Sequence, residues 1–320
     1  MPRNLLTGLL MVVAFSTHSQ GYPTKPIRMI VPFPPAGTAD VLARIIGQRM
    51  GESLGQQFVL DLRPGASGSL GAALTAKAAP DGYTTMLTSL SPLVINVHMF
   101  SGKAQYDPQK DLAPVSLVTK VPSVITVYST SALRSVKDLI AAAKASPGKL
   151  TYGSSGSGGV NHLITELFRS AAGIELTHVP YKGAGPAMIA LLSKEIDISV
   201  ASPVAIMPQV RGGQVRALAV SGAMRSPALA DVPTIAEAAI PGFDSTAWYA
   251  MLAPAGTARA YIDKLNGALV QAMRSPLIVE RLNAEGAAPE PTTPEGLRQL
   301  IQVDSQRWAK AVKLSGAKLE

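Results

Sequence analysis

Pro34-Pro35-Ala36-Gly37-Thr38 stands between two runs of different period. Before it, Ile27 to Phe33 is a short apolar run of the kind that forms a buried strand. After it, Thr38 to Leu54 carries Val41, Leu42, Ile45 and Ile46 at helical spacing and stops at Gly55. A strand, a glycine-bearing turn and a helix in that order leave backbone N–H groups bare at the helix start, where the helix dipole adds positive charge. An anion is the natural guest of such a turn. The pattern recurs at Gly65-Ala66-Ser67-Gly68-Ser69-Leu70-Gly71 and at Ser154-Ser155-Gly156-Ser157-Gly158-Gly159.

Outward from these turns, Phe58 to Leu62 reads as strand and Leu70 to Ala79 as helix. Tyr83 to Leu87 reads as strand again, ending in Ser89-Leu90-Ser91. The order β-α-β-α-β predicts a mainly parallel sheet with helices on both faces, and ligands in such sheets sit beyond the carboxyl ends of the strands. An extended stretch follows at Val121–Tyr128, and the alternation then begins afresh. A helix capped by Ser135 ends near Ala145, Leu150 to Tyr152 is strand, and a helix runs from Val160 to Ala172 with Gly173 as its stop. Leu176 to Pro180 is strand, Lys182-Gly183-Ala184-Gly185 is a turn, and Pro186 opens a helix at a favoured first position. Ile196 to Val200 and Val215 to Val220 complete this set. Trp248 to Ala253 reads as extended, and three helices close at Leu314. The expected fold is α/β: a two-lobed clamp whose extended crossovers, near Val121–Tyr128 and Ser245–Pro254, are hinge segments.

Composition narrows the function. The chain has 320 residues, 47% hydrophobic and 16% charged, enough for two domains that each bury a core. Aromatics are 5%, too few for a stacking surface. The net charge of +8 is spread over single Lys and Arg residues, so a nucleic-acid partner is not expected. Arg3, the apolar run Leu5 to Phe15 and the small residues Ser16 to Gly21 follow the order of a secretory signal. Residues 1–21 are expected to be removed before Tyr22, leaving a free, exported protein. There is no cysteine, which excludes disulfides, thiol catalysis and lipid attachment at a cysteine. Beyond the signal, only His98, His162 and His178 remain, too dispersed for a metal triad. No cofactor or metal is expected.

Several motifs in order carry a family resemblance. These are Tyr22-Pro23-Thr24-Lys25-Pro26-Ile27-Arg28 with Val31 to Asp40, Arg63-Pro64-Gly65-Ala66-Ser67-Gly68, and Ser154 to Gly158 with His162-Leu163. His178 to Gly183 and Arg225 to Leu229 with Asp231-Val232-Pro233-Thr234 complete the series. Together they resemble the periplasmic solute-binding proteins of the tripartite tricarboxylate transporter family, also called Bug proteins, over nearly the whole mature chain. The resemblance implies a periplasmic-binding-protein-like clamp of two α/β domains joined by two extended hinge segments. The domains are expected at 22–123 with 252–320, and at 124–251. It further implies capture of a small organic acid, a mono- or dicarboxylate, and its delivery to the membrane permease subunits, with the binding protein itself a monomer. In this family the first two loops hold one end of the ligand, often a carboxylate through ordered water, and the loops of the second domain select the other end.

Three positions depart from the family pattern. Ala36 replaces a glycine, Ala201-Ser202 replaces an Asp-Asn pair, and Leu60-Asp61-Leu62 before Arg63 lacks the usual Asn. Loss of the Asp removes a carboxylate from the expected pocket, which weakens the case for an amino-acid ligand.

The candidate ligand contacts follow from turns and resemblance together. In the first loop they are Pro35, Ala36, Gly37, Thr38 and Asp40, of which Thr38 and Asp40 also suit a helix start. In the second they are Ala66, Ser67, Gly68 and Ser69, and at the next strand end Ser89 and Ser91. In the second domain they are Ser154, Ser155, Gly156, Ser157 and His162, then Tyr181, Lys182, Gly183 and Ser202. Trp248 and Tyr249 are read as packing near the hinge. An exported hydrolase is the enzyme alternative, but Ser67 and Ser155 lack the flanking glycines of a nucleophile elbow. Met188 stands where a dinucleotide fingerprint needs its last glycine. A sensor presenting its closed form to a membrane receptor is the other alternative, with the same binding chemistry.

Overall fold

A computed structural model of the chain describes residues 21–99, 105–284 and 286–315. The secretory signal expected at residues 1–21 lies, except for Gly21, outside them.

The first lobe begins with β1 (Ile27–Val31), α1 (Thr38–Leu54), β2 (Phe58–Leu62), α2 (Ser69–Ala76) and β3 (Thr84–Ser89). A short π-helical turn, Ser91–Ile95, leads into α3 (Asn96–Met99), and β4 (Leu112–Pro122) follows. The second lobe holds β5 (Val124–Tyr128), α4 (Val136–Ala145), β6 (Thr151–Ser154), α5 (Val160–Ala172), β7 (Thr177–Pro180) and α6 (Ala184–Leu192). It continues through β8 (Ile198–Ala201), α7 (Pro203–Arg211), β9 (Val215–Val220) and α8 (Ile235–Ala238). The chain then returns to the first lobe as β10 (Thr246–Pro254), α9 (Arg259–Arg274), α10 (Pro276–Ala284), β11 (Ala288–Pro289) and α11 (Pro294–Ser315).

Two sheets result, in the orders β11-β4-β10-β3-β1-β2 and β7-β6-β8-β5-β9. The expected parallel pairing holds for β1 with β2 and β3, and for β6 with β7 and β8. The crossing strands correct the rest, because a chain entering from the other lobe runs against its neighbours. β10 is antiparallel to β3 and β4, and β5 is antiparallel to β8 and β9. All of β10 pairs in the first sheet, from Thr246 opposite Pro122 to Pro254 opposite Leu112. The expected domain boundary at 251/252 therefore falls inside a strand. Sheet membership puts the crossing before Thr246.

Strand alternation builds two cores around the first sheet. Tyr249, Met251 and Ala253 of β10 pack toward Leu42, Ile46 and Leu269, on α1 and α9. Trp248, Ala250 and Leu252 pack on the other face, toward Ile301 and Trp308 of α11. The glycine stops act as read: Gly55 and Gly173 are left-handed at φ 68° and 61°, where L side chains are strained. Pro186 does not open its helix; α6 starts two residues earlier, after Gly183.

The lobes meet where β4 passes into β5 and where the chain returns ahead of β10. Three fully buried serines stitch these crossings together. Ser221 N–H donates to Ser123 O at 2.8 Å, and Ser245 N–H donates to Ser221 O at 2.8 Å. The Ser221 hydroxyl accepts from Ser123 N–H at 2.9 Å and donates to Ser245 O at 2.5 Å.

Candidate functional site

The turns that follow β1, β2, β3, β6, β7 and β8 all open on one cavity of about 510 Å³ between the lobes. Five helices begin at its wall: α1 after Gly37, α2 after Gly68, α5 after Gly159, α6 after Gly183 and α7 after Ser202. In none of the five does the N-cap residue's own side chain bond the first N–H groups, and at α5 alone a side chain from the other lobe, Ser91 Oγ, accepts Val160 N–H. Away from the cavity, α4 is capped by Ser135 and α8 by a reciprocal Thr234–Glu237 box. The helix starts at the cavity thus keep donors and positive dipole ends for a guest.

The charge pattern agrees. Lys182 is the charged side chain in the lining, with no ion-pair partner among the described residues. No carboxylate lines the cavity among the described residues. Between the polar turns, the walls are apolar: Pro32, Phe33, Pro34, Pro64, Val160 and Pro186.

Most expected contacts come together here. Pro35, Gly37, Thr38, Ala66, Ser67, Gly68, Ser89 and Ser91 line the first-lobe side, and Ser155, Gly156, Ser157, Tyr181, Lys182, Gly183 and Ser202 line the other. Hydrogen bonds cross the cleft between them. Thr38 and Ser202 join through their hydroxyls, Ser67 Oγ donates to Ser157 O at 2.6 Å, and Val160 N–H donates to Ser91 Oγ at 3.0 Å.

Five expected contacts lie outside the lining. Asp40 is buried and turned to its own loop, where it accepts from Ala36 N–H at 2.9 Å and pairs with Arg44 Nε at 2.9 Å. Ala36 lies outside the lining and has φ 61°, so Asp40 holds a strained backbone in place. Ser69 Oγ accepts from Asn96 Nδ2 at 2.8 Å, behind the second loop. Ser154 and His162 also lie behind their loop: Ser154 Oγ bonds His178 Nε2 at 2.7 Å, and His162 Nδ1 accepts from Gly158 N–H at 3.1 Å.

Other residues of the site were not read from the sequence. Tyr249, expected to pack near the hinge, lines the cavity. Burial pushes its hydroxyl up to about 12, with the neighbouring Thr38 pulling the other way, so it stays a neutral donor. Asn161, in the first turn of α5, lines the cavity and accepts from Ser123 Oγ at 2.7 Å, linking site to hinge. Asn96 Nδ2 lies 3.2 Å from Ala66 O and 3.1 Å from Ser67 O. It holds those carbonyls back in a turn where Gly65, Ala66, Ser67 and Gly68 all have positive φ. A helical period around Val160 and a polar residue after the Ser91 turn were the available signals, and neither reveals a partner.

A two-lobed α/β fold closed over a cavity of uncapped helix starts defines a class of solute-binding proteins. Residues 42–316 match the family described as "Tripartite tricarboxylate transporter family receptor", and the chain belongs to that family. Protein BugT of Bordetella pertussis is 40% identical over 309 residues, 96% of this chain and 94% of that protein. A structure described as a periplasmic transporter superposes with a TM-score of 0.90 at 38% identity, over 93% of this chain and all of that one. R. palustris Rpa4515 with adipate gives a TM-score of 0.90 at 36% identity, with the same coverage.

Proposed function

We propose that the protein is a periplasmic receptor that captures a small organic acid, a mono- or dicarboxylate, between its lobes and delivers it to the permease of a tripartite tricarboxylate transporter. One observation carries this reading: uncapped helix starts from both lobes converge on a cavity whose charged side chain is Lys182. Fixed N–H donors and a lysine favour a carboxylate, and a lining without carboxylates gives an ammonium group no partner. The adipate-bound relative supports the same class. Periplasmic placement is supported by the secretory order of Arg3, Leu5 to Phe15 and Ser16 to Gly21 and by the family to which the chain belongs. The protein is a carrier and not an enzyme. Its domains are 22–122 with 246–320, and 124–245, linked at Ser123 and ahead of β10.

Thermal unfolding of the chain from Tyr22 against a panel of small organic acids tests the reading. A dose-dependent rise with an acid is expected, since a ligand that binds only the folded state stabilises it by mass action. A rise with neutral or cationic solutes alone overturns it.

A further inference from the structure

Behind the third loop, three rings cluster. His162 of α5 and His178 of β7 stack with centroids 4.0 Å apart and planes 10° from parallel. Tyr152 of β6 lies to one side of the pair, 4.7 Å from His178 and 6.5 Å from His162. Neither imidazole lines the cavity. Each fastens one end of the loop that does. At the first end, His178 Nε2 meets Ser154 Oγ, which also accepts from Gly156 N–H at 3.3 Å. At the second, His162 Nδ1 accepts Gly158 N–H, which requires a lone pair on that nitrogen and so places any ring proton of the neutral form on Nε2. Between the two ends lie Ser155, Gly156 and Ser157, with φ 135° at Gly156 and 72° at Gly158, a sequence with little stiffness of its own.

We propose that His162 and His178 are positioning residues: two neutral stacked imidazoles that pin both ends of the third loop and hold Ser155 to Ser157 in the shape that meets the ligand. This rests on the reading that the loop is a ligand contact. The surrounding charges are already spent on one another. Glu166 of α5 accepts from Tyr152 Oη at 2.7 Å and from Arg169 Nη1 at 2.7 Å, and Arg169 also pairs with Glu175 ahead of β7. Glu166 therefore has its partners, while Arg169 opposes positive charge on either ring. Burial, first, holds both imidazoles down at about 4, against an ordinary 6.5; Arg169 adds to this at His162, and at His178 the neighbouring His162 adds most, with Glu166 opposing and Arg169 adding the least. A proton on His162 Nδ1 would replace the Gly158 acceptor with a second donor, and charge on one ring disfavours charge on the other at stacking distance.

Backbone amide exchange of the ligand-free chain from Tyr22, followed by NMR from pH 7 to 4, is the test. Protection of the Gly156 and Gly158 amides is expected to fall in step with imidazole protonation. His178→Phe keeps a ring beside His162 and Ser154→Ala leaves the ring cluster intact. His178→Phe should speed exchange at Gly156 about tenfold, Ser154→Ala at least as much because it also removes the oxygen that meets Gly156 N–H and Gly156 O, and the double variant no further than Ser154→Ala. Additive effects, or Gly158 protection that ignores imidazole titration, overturn the proposal. If His178→Phe unfolds, Ser154→Ala alone decides through the same amides. Adipate serves as the binding probe, with about a tenfold loss of affinity expected in Ser154→Ala. Intact adipate affinity with a loosened loop overturns positioning and leaves the receptor reading standing; no adipate binding to the parent protein fails that ligand choice, while amide exchange still decides the pinning.

Discussion

At Asp40 a single carboxylate separates two roles that the sequence leaves merged, helix-start acid and ligand contact. Its bonds to Ala36 N–H and Arg44 assign it to the loop. Asp40→Ala is therefore expected to cost about 1–3 kcal/mol of stability, the range for orphaning a buried partner, read by urea unfolding. Weaker ligand binding at unchanged stability would return Asp40 to the site. The two histidines set a second expectation at this scale. Their folded values near 4 lie below the unfolded 6.5, so the unfolded chain takes up protons first as pH falls. Stability is full above 6.5 and declines from there toward 4, by about 1 kcal/mol per pH unit for each ring. The slope of unfolding free energy against pH over that window should be shallower in His178→Phe than in the parent protein. A parallel slope would mean that other groups govern acid stability.

Elements were legible where one local signal sufficed. α1 and α5 were readable from apolar spacing and the Gly55 and Gly173 stops, and the α4 cap from Ser135. β4 was read only at its end because Pro114, Ser116, Thr119 and Lys120 break its apolar run; its pairing with β10 and β11 supplies what its composition does not show. The start of α6 was misplaced because Gly183 and Gly185 read as turn, although Pro186 is tolerated in a first turn. The site divides the same way. Turn residues such as Ser67 and Ser155 lie where turn chemistry puts them, whereas Asn96, Tyr249 and His178 act through partners on other elements, which no period encodes. β10 and α11 show what such a partner contributes. Trp248 Nε1 donates to Asp304 Oδ2 at 2.5 Å, and both residues are buried. Trp248→Phe, which leaves that carboxylate without its donor and a gap beside it, should lower stability by about 2–4 kcal/mol in chemical unfolding. A loss under ~1 kcal/mol would mean that Asp304 reaches solvent or another donor.

Across the whole molecule, the cavity exists only because two lobes close on it. Gly183 of the second lobe has φ 124°, and a Cβ there would stand 3.2 Å from Pro34 Cγ of the first. Gly183→Ala should hold the turns apart and weaken acid binding at least about tenfold, or ~1.4 kcal/mol, by calorimetry. Unchanged affinity would show that the turns do not need to approach so closely. Small-angle scattering should find the liganded form more compact than the free one, and identical curves would count against closure. The stitched serines at the crossings bear on how long a closed state lasts. Two independent links would let the lobes twist, slide or tilt. Ser123, Ser221 and Ser245 bond the links to each other, so neither gives way alone. Asn161 joins that knot to the cavity wall through Ser123. Release of a bound acid is then expected as a single concerted event, its residence time set at a knot of three serines outside the cavity.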